Sequence, residues 1–584
     1  MKKNVITAFF VLLATVAFAE SNFGKDYFGI GEYAKSKEYF EGQVATTPAE
    51  SNYYLGEIAW AAGNAADALA YYEKGIVADP LYPLNYIGKG KTMLKSNQKE
   101  AELIFATTLK KNKKNPEVNV AIARAYYQVG LKEMVSVKLD IARKVAKKSP
   151  LLYIFEGDML VAEQKYGEAA GKYEQAVYFD ATNTVATIKC AEVYESINPP
   201  LSVEKLKTVV AAHPDYTIAN RNLGRAYNAN GMYKNAIESF VTYYGDGNCD
   251  YVDIYRLASA YYFTDQFAQS IVLLDKGLAQ DSMNFVLNRL RMYNSAKTKD
   301  FANGMPIAIR FFGMQGNTFI DKDYAAYATI LADAGKYPEA LEQYNKVITA
   351  NAAKPETFKE LATLYTKMGD FAKAGETTLK YIDMVGGIDV AEGSDYYNMG
   401  RSWYNAGQAL RNDSTDAGKA LAKDYLTRAD TAFGVVSIKS PASHISYLWR
   451  GHTNAALDPN TTLGLAKPHY EKALSLILEK VQNGAAITTY RRDLINIYRY
   501  EAWYYYDIIK DKDSTILYCN KILELDPSNA DAKSLIDSYN PPVPKPTTIK
   551  GTKSKKTTVP AATAPASTTV VAPAPQTGAG PKVK

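Results

Sequence analysis

A motif that recurs about every 34 residues is the strongest constraint on how this chain can fold. Its clearest copy consists, in order, of Leu55, Gly56, Ala68, Tyr72, Gly75, Asp79 and Pro80. The same order of small, aromatic and apolar residues returns near residues 153–183, 223–240, 257–274, 327–344, 361–374 and 502–527. Each copy predicts one structural unit. Because a unit of this size has no core of its own, consecutive units must cover each other's apolar faces.

The spacing within one copy is that of two antiparallel α-helices. Leu and a small residue, followed three positions later by an aromatic residue, share one face of a first helix. Gly56 and Gly224 occupy a position that must be small because the second helix crosses close to it, and an aromatic residue such as Tyr72 fills the groove between the helices. We expect left-handed glycines to end first helices, at Gly63, Gly231, Gly335 and Gly369.

These motifs resemble the tetratricopeptide repeat, whose pattern is W-x2-L-G-x2-Y, then A-x3-F, then P. About twelve units fit between residues 24 and 540 when weaker copies are counted. The resemblance implies an all-α fold, a right-handed α-solenoid of helix hairpins. We predict a signal peptide over 1–19, an N-terminal array over 20–300, a C-terminal array over 301–540 with a polar insertion at 408–424, and a disordered Pro/Thr/Lys-rich tail over 541–584. The Gly-rich stretch 300–314 is expected to be an irregular joint.

Residues 1–19 have the pattern of a secretory signal peptide. Two lysines precede an apolar run over 5–18, and the small-x-small triplet 17–19 predicts cleavage before Glu20. The run is shorter than the roughly 20 residues of a membrane helix, although an uncleaved anchor is the alternative. The first cysteine is Cys190, so none is available for lipid attachment at the cleavage site. We therefore predict a Sec-exported, periplasmic or envelope-associated protein of a bacterium that is not a lipoprotein.

The charge is concentrated at the end of the chain. Of a net charge of +6, seven lysines and no acidic residue fall in residues 541–584, together with nine of the 24 prolines. The rest of the chain is close to neutral, which argues against a nucleic-acid-binding domain. The tail is interpreted either as a basic tether to anionic lipid or cell wall, or as a flexible solubilising end.

No motif for catalysis or for cofactor binding is present in the sequence. There is no G-x-S-x-G, P-loop or H-E-x-x-H, and the four histidines lack zinc-ligand spacing. We therefore predict no enzyme activity, no cofactor and no metal site. Cys190, Cys249 and Cys519 are expected to be small buried hydrophobic residues, with one disulfide left open as an alternative.

In tetratricopeptide arrays, one stripe of the first helices lines a concave surface where peptides bind. The resemblance places ten residues of this chain on that stripe: Tyr53, Tyr127, Arg221, Arg225, Tyr255, Tyr262, Tyr397, Arg401, Tyr404 and Tyr506. Tyrosine and arginine are the residue types that contribute most to interface energies. The alternative is that these tyrosines only pack between helices, because the chain has 46 tyrosines in all.

The resulting functional hypothesis is a non-enzymatic scaffold or adaptor that binds partner proteins or peptides on its concave face. The Tyr-rich units ending in ELDPSNADA (524–532) resemble envelope proteins of Bacteroidota, which raises a secretion or outer-membrane-assembly role. The alternative is a structural envelope spacer held to the cell wall or to anionic lipid by its basic tail. The partner and the oligomeric state stay open.

Overall fold

The computed structural model describes residues 23–350 and 354–539, which form 29 α-helices and no strand. The predicted signal peptide and tail lie outside these residues. The predicted all-α repeat fold is confirmed, because the helices follow one another in tandem and the two helices of successive hairpins pack together. The chain divides into two compact units, residues 1–406 and 407–584.

The first ten helices of the first unit are α1 (Gly24–Gly29), α2 (Tyr33–Gln43), α3 (Pro48–Ala61), α4 (Ala65–Ala78), α5 (Pro83–Met93), α6 (Gln98–Lys111), α7 (Pro116–Val129), α8 (Lys132–Ala146), α9 (Pro150–Ala162) and α10 (Tyr166–Phe179). The next twelve are α11 (Thr184–Ile197), α12 (Pro199–Ala212), α13 (Ile218–Ala229), α14 (Tyr233–Tyr244), α15 (Tyr251–Phe263), α16 (Phe267–Gln280), α17 (Phe285–Thr298), α18 (Phe301–Phe312), α19 (Asp321–Asp333), α20 (Tyr337–Ala350), α21 (Pro355–Met368) and α22 (Phe371–Val385). Helix α23 (Gly393–Ala409) follows a 3₁₀ turn at Gly387–Asp389 and contains the division between the units.

The second unit contains α24 (Asp416–Lys439), α25 (His444–Leu457), α26 (Lys467–Gln482), α27 (Arg491–Trp503), α28 (Lys512–Leu525) and α29 (Ala530–Tyr539). A 3₁₀ turn at Ile487–Tyr490 precedes α27, and a π-helical turn at Tyr504–Ile509 follows it. Its core includes Leu448, Tyr470, Leu494, Ile497 and Cys519, all of them buried.

Local sequence signals set the ends of the helices. Asn64, Asn97 and Asn183 precede second or first helices, and each accepts a hydrogen bond from a backbone amide of the first turn. Left-handed glycines occur between the helices of four hairpins, as predicted: φ is 82° at Gly63, 70° at Gly231, 76° at Gly335 and 78° at Gly369. The turn chemistry read from the sequence is therefore confirmed at these positions.

Close contacts between a small residue and an aromatic ring hold the two helices of a hairpin together. A Cβ atom at Gly56 of α3 would lie 2.4 Å from the Tyr72 ring on α4, and one at Gly224 of α13 would lie 3.0 Å from Phe240 on α14. Tyr72 and Phe240 are fully buried. From α3 to α22, odd-numbered first helices pair with the even-numbered second helices that follow them, and most first helices also pack on the next first helix.

Two expectations about irregular segments change with the structure. Residues 301–312 form the regular helix α18 rather than an irregular joint: Asp300 caps its first turn, and Gly304 fits closely against Ser295 and Ile330. The predicted division after residue 300 therefore falls inside the first unit, between the paired helices α17 and α18. At 408–424, only residues 410–415 lie outside helices. Thr415 caps α24, so the helix-forming residues that follow it extend that helix.

Candidate partner-binding groove

An N-terminal strap, defined here as residues 23–36, lies across first helices of the first unit. It consists of α1, a turn and the beginning of α2. The hydroxyl of Ser36 donates a 2.9 Å hydrogen bond to the carbonyl of Gly24, and the Tyr39 ring packs where a Cβ of Gly24 would stand. The strap is therefore folded back on α2 as one compact element, which presents its aromatic side chains to the repeats.

One end of the strap packs on the loop before α13. The ring of Phe23 lies 4.4 Å from that of Tyr216 and meets His213 edge-on at 5.8 Å, measured between ring centroids. The Tyr27 ring is 5.2 Å from the same Tyr216 ring, which is fully buried. Two strap aromatics one helical turn apart thus share one aromatic platform.

The other end of the strap reaches α3 and α11. Phe28 meets Tyr54 of α3 edge-on at 5.3 Å, and Tyr54 in turn stacks on Phe40 at 4.5 Å. Gly29 lies against Val185 of α11 so closely that an added Cβ would come within 2.7 Å of it. Only glycine allows this approach without moving Val185.

Ion pairs hold both sides of the strap. Lys25 pairs with Glu50 of α3, and Glu32 pairs with Arg221 of α13, 189 positions away in the sequence. The Arg221 guanidinium also lies 5.7 Å from the Tyr243 ring centroid of α14, and Lys35 of the strap lies 5.6 Å from the same ring. The strap therefore connects the hairpin that begins at α3 with the one that begins at α13.

A cavity of about 560 Å³ lies beside the strap. Its walls come from the strap and from first helices α3, α7, α9 and α11, and they include Phe28, Tyr53, Glu117, Arg124, Asp158 and Lys189. Burial raises the pKa of the strap carboxyl Asp26 to about 6, although His213 and Lys25 oppose the shift. Burial also raises the pKa of Glu117. The cavity thus combines aromatic faces with both basic and acidic side chains.

Buried ion pairs link successive first helices. Arg225 of α13 holds Asp253 of α15 through two guanidinium nitrogens, at 2.6 and 2.8 Å, and Asp253 is fully buried. In the same way, Arg289 of α17 holds Asp323 of α19 at 2.9 and 2.8 Å. Lys91 of α5 donates to Glu57 of α3 at 2.7 Å. In two further pairs the carboxylate is buried and the lysine is partly exposed: Lys359 of α21 with Asp395 of α23, and Lys467 of α26 with Glu501 of α27.

These geometries agree with the sequence comparison. A sequence model described as the tetratricopeptide repeat matches residues 22–83 and 195–247, which include the strap, α3, α4, α13 and α14. These two segments carry tetratricopeptide repeats. No curated protein matches the sequence.

Several solved structures are similar to this chain. One is the C-terminal part of a TPR repeat-containing protein from Cytophaga hutchinsonii, with 24% identity, a TM-score of 0.39, and coverage of 48% of this chain and 99% of that chain. A tetratricopeptide repeat protein from Parabacteroides merdae has 14% identity, a TM-score of 0.30, and coverage of 46% and 97%. Yeast Tom70 has 12% identity, a TM-score of 0.28, and coverage of 88% and 99%.

The ten predicted stripe residues of the tetratricopeptide array fall into three groups. Tyr53, Tyr262 and Arg221 are buried; Tyr127, Arg225, Tyr397, Tyr404 and Tyr506 are half-buried; Tyr255 and Arg401 are exposed. In the structure, the guanidinium groups of Arg221 and Arg225 are paired within the chain, with Glu32 of the strap and with the buried Asp253. For all ten residues, contact with a partner stays a prediction.

Some of the ten stripe residues lie at the cavity beside the strap, and others lie in later parts of the chain. Tyr53 borders the cavity. Tyr127 packs edge-on against Phe155, and Arg401 lies 5.9 Å from the Tyr397 ring centroid near the end of the first unit. In the second unit, Tyr506 packs between Trp503 and Tyr539.

Sequence reasoning missed the strap and its platform, because the strap precedes the first clear motif copy. The only available signal was the concentration of aromatic residues at 23, 27, 28 and 33. It also missed the inter-repeat ion pairs. For those the signal was stronger: Glu57 and Lys91 are 34 residues apart, and so are Arg289 and Asp323.

Metal ligands, membrane-spanning helices and reactive cysteines are three further features to consider among the described residues. Between 23–350 and 354–539, no group of three or more His, Cys, Asp or Glu side chains is arranged to hold a metal ion. Within the same ranges, no helix has the length and apolar character required to cross a membrane. Cys190, Cys249 and Cys519 are buried and free. Burial raises the pKa of Cys190 and Cys519 to about 11 and that of Cys249 to about 12, so these thiols are poor nucleophiles.

Proposed function

We propose that this protein is a non-enzymatic scaffold that binds a segment of a partner protein in the groove of its first unit. The observation that carries the proposal is the docking of the strap, an aromatic segment that precedes the clear repeats, on first helices α3, α11 and α13. The groove therefore already accepts a peptide-like element. The cavity of about 560 Å³ beside the strap adds room and mixed charge for further side chains.

The site of action that we propose is the bacterial cell envelope. Support comes from the signal-peptide pattern of residues 1–19, and the resemblance to Bacteroidota envelope proteins adds a secretion or outer-membrane-assembly context. Mass spectrometry of the protein from its native cells should find Glu20 at the N-terminus. Detection of Met1 on the mature protein would contradict the export proposal.

A photo-crosslinking experiment tests partner binding directly. We would place a photoreactive amino acid at Arg124, which lines the cavity, and at Tyr178 of α10, which is 82% exposed and does not line it. We expect one specific partner to crosslink at position 124 and not at position 178, and Arg124→Glu to reduce capture of that partner through another groove position. Equal capture at both positions, or none in the envelope, would count against the scaffold.

The alternative function is an envelope spacer, which the seven lysines and absent acidic residues of 541–584 favour. Deletion of residues 545–584 separates the two functions. If the tail tethers the protein to anionic lipid or cell wall, the truncated protein leaves the envelope fraction and keeps its groove crosslinks. Unchanged fractionation would remove the tethering role.

A further inference from the structure

The strap is an incomplete ligand for the surface that it covers. Beneath and beside it, three buried polar atoms have no hydrogen-bond partner among the described residues: the Tyr216 hydroxyl, Arg221 Nε and Asn222 Nδ2. All three side chains are more than nine-tenths buried. They lie on the stretch 216–222 that receives Phe23, Tyr27 and Glu32 of the strap.

Each of these atoms can donate a hydrogen bond, so the same kind of ligand group would satisfy all three. A hydroxyl, a guanidinium N–H and an amide N–H are best paired with carboxylate or carbonyl oxygens. The strap supplies two carboxylates there. That of Glu32 binds the Nη2 end of Arg221, and that of Asp26 lies near Tyr216 without a hydrogen bond to its hydroxyl. Arg221 Nε also lies 4.0 Å from the buried Asp253, which is beyond hydrogen-bond distance. A segment with one more acceptor near Glu32 would improve the pairing of these donors, because buried polar groups are normally paired.

The aromatic contacts define the rest of the ligand. Two rings one helical turn apart pack at a tilt against Tyr216, a third ring meets Tyr54 edge-on, and a residue without a side chain passes Val185. A partner segment that repeats this order and adds a carboxylate would make the strap's contacts and pair the remaining donors as well.

We propose that the strap is an internal competitor for the partner site, and that the partner is an acidic, aromatic protein segment that displaces it from Tyr54, Tyr216 and Arg221. This inference rests on the proposed scaffold function and specifies its partner and its control. The strap keeps the groove closed until a segment with better acceptors for the three donors is present.

A labelled peptide with the sequence of residues 23–35, FGKDYFGIGEYAK, is a suitable probe for the full-length protein. In the unmodified chain the strap fills the site, so we expect weak binding. In the Phe23→Ala/Tyr27→Ala chain, which has lost both contacts to Tyr216, we expect at least tenfold tighter binding. A second peptide with one added carboxylate, in which Lys35 is replaced by Glu, should bind that chain more tightly than the first peptide, because position 35 and Arg221 face the same Tyr243 ring.

Two controls test the assignment of the contacts. Arg221→Ala added to the double variant should reduce binding at least tenfold, whereas Tyr178→Ala, which changes an exposed ring outside the groove, should leave it unchanged. Circular dichroism establishes that each variant is folded. In the unmodified protein, excess peptide should accelerate hydrogen exchange of the strap amides, a readout that needs no substitution.

The outcomes separate this inference from the scaffold function. Equal peptide affinity for the unmodified chain and the folded double variant, or no binding by either, would overturn strap competition. If crosslinking at position 124 still captures a specific partner in that case, the scaffold function stands and only the competing role of the strap is lost. Loss of the crosslink as well would remove both.

Discussion

Arg225 and Asp253 form a bidentate ion pair between the consecutive first helices α13 and α15, with N–O distances of 2.6 and 2.8 Å. Asp253 is fully buried, and it also accepts a 2.7 Å hydrogen bond from the Tyr244 hydroxyl. An arginine that the repeat pattern places on the partner stripe is therefore part of the joint between repeats. The same arrangement, with Tyr293 as the hydroxyl donor, surrounds Asp323.

Removing the Asp253 carboxylate should strongly destabilise the contact between α13 and α15. We expect Asp253→Ala to lower the free energy of unfolding of the first unit by about 3–5 kcal/mol, because Arg225 would be left largely buried without its partner. Asp140→Ala, which breaks an exposed ion pair with Arg143, should cost less than about 0.5 kcal/mol. Urea unfolding followed by circular dichroism compares the two. Similar losses for both variants would contradict the structural importance of the buried pair.

The contact between Gly224 and Phe240 predicts a penalty for any larger side chain. We expect Gly224→Leu to lower the free energy of unfolding by about 1–3 kcal/mol, because the Phe240 ring has to move out of its buried position. The matched control is Gly171→Leu on α10, where an added Cβ meets no atom within 4 Å. Equal melting temperatures for the two variants would show that the hairpin does not pack as described.

The predicted stripe separates into packing and surface tyrosines, and substitution distinguishes them. Tyr262 is 7% exposed, so we expect Tyr262→Ala to destabilise the protein by about 3 kcal/mol. Tyr255 is 45% exposed, so Tyr255→Ala should change stability by less than about 0.5 kcal/mol and act only on partner capture. Thermal unfolding and crosslinking of the two variants measure both effects. A stability loss in Tyr255→Ala would argue against its availability to a partner.

Docking of the strap should weaken as the pH rises. The pKa of Asp26 is about 6 when the strap is docked, against an ordinary value of 3.8, because burial disfavours the charged form. A raised acid pKa means that Asp26 holds its proton more tightly in the docked strap than in the undocked strap. The favourable contribution of this proton to docking is complete below pH 3.8 and is lost as the pH rises through 6. Between pH 5 and 7.5 we expect the docking equilibrium to weaken about tenfold.

Hydrogen exchange of the strap amides, corrected for the intrinsic pH effect, measures this change. The Asp26→Asn variant removes the titrating carboxyl and leaves its neighbours in place. These are His213 and Lys25, whose charges act on Asp26, and the nearby Tyr216. The variant should lose most of the pH dependence. A full pH dependence in Asp26→Asn would assign the effect to His213 instead.

Much of the candidate site was beyond prediction because its parts are distant in sequence. Glu32 and Arg221 are 189 residues apart, and no motif links them. By contrast, the small residue at 56 and the aromatic residue at 72 follow the helical spacing of one hairpin, so their contact was predictable. The irregular joint expected at 300–314 was wrong because Gly304 is required by close packing rather than by a break in the helix.

The sequence by itself determined the unit of structure: the period, the paired helices and the left-handed glycines that separate them. These follow from contacts within about 34 residues, where residue spacing and helix geometry decide which side chains meet. Only the tertiary structure decided which stripe residues pair within the chain: Arg221 pairs with Glu32, and Arg225 pairs with Asp253. The reason is that stacking repeats brings together carboxylates and guanidinium groups from different hairpins, and charges that are buried together have to pair.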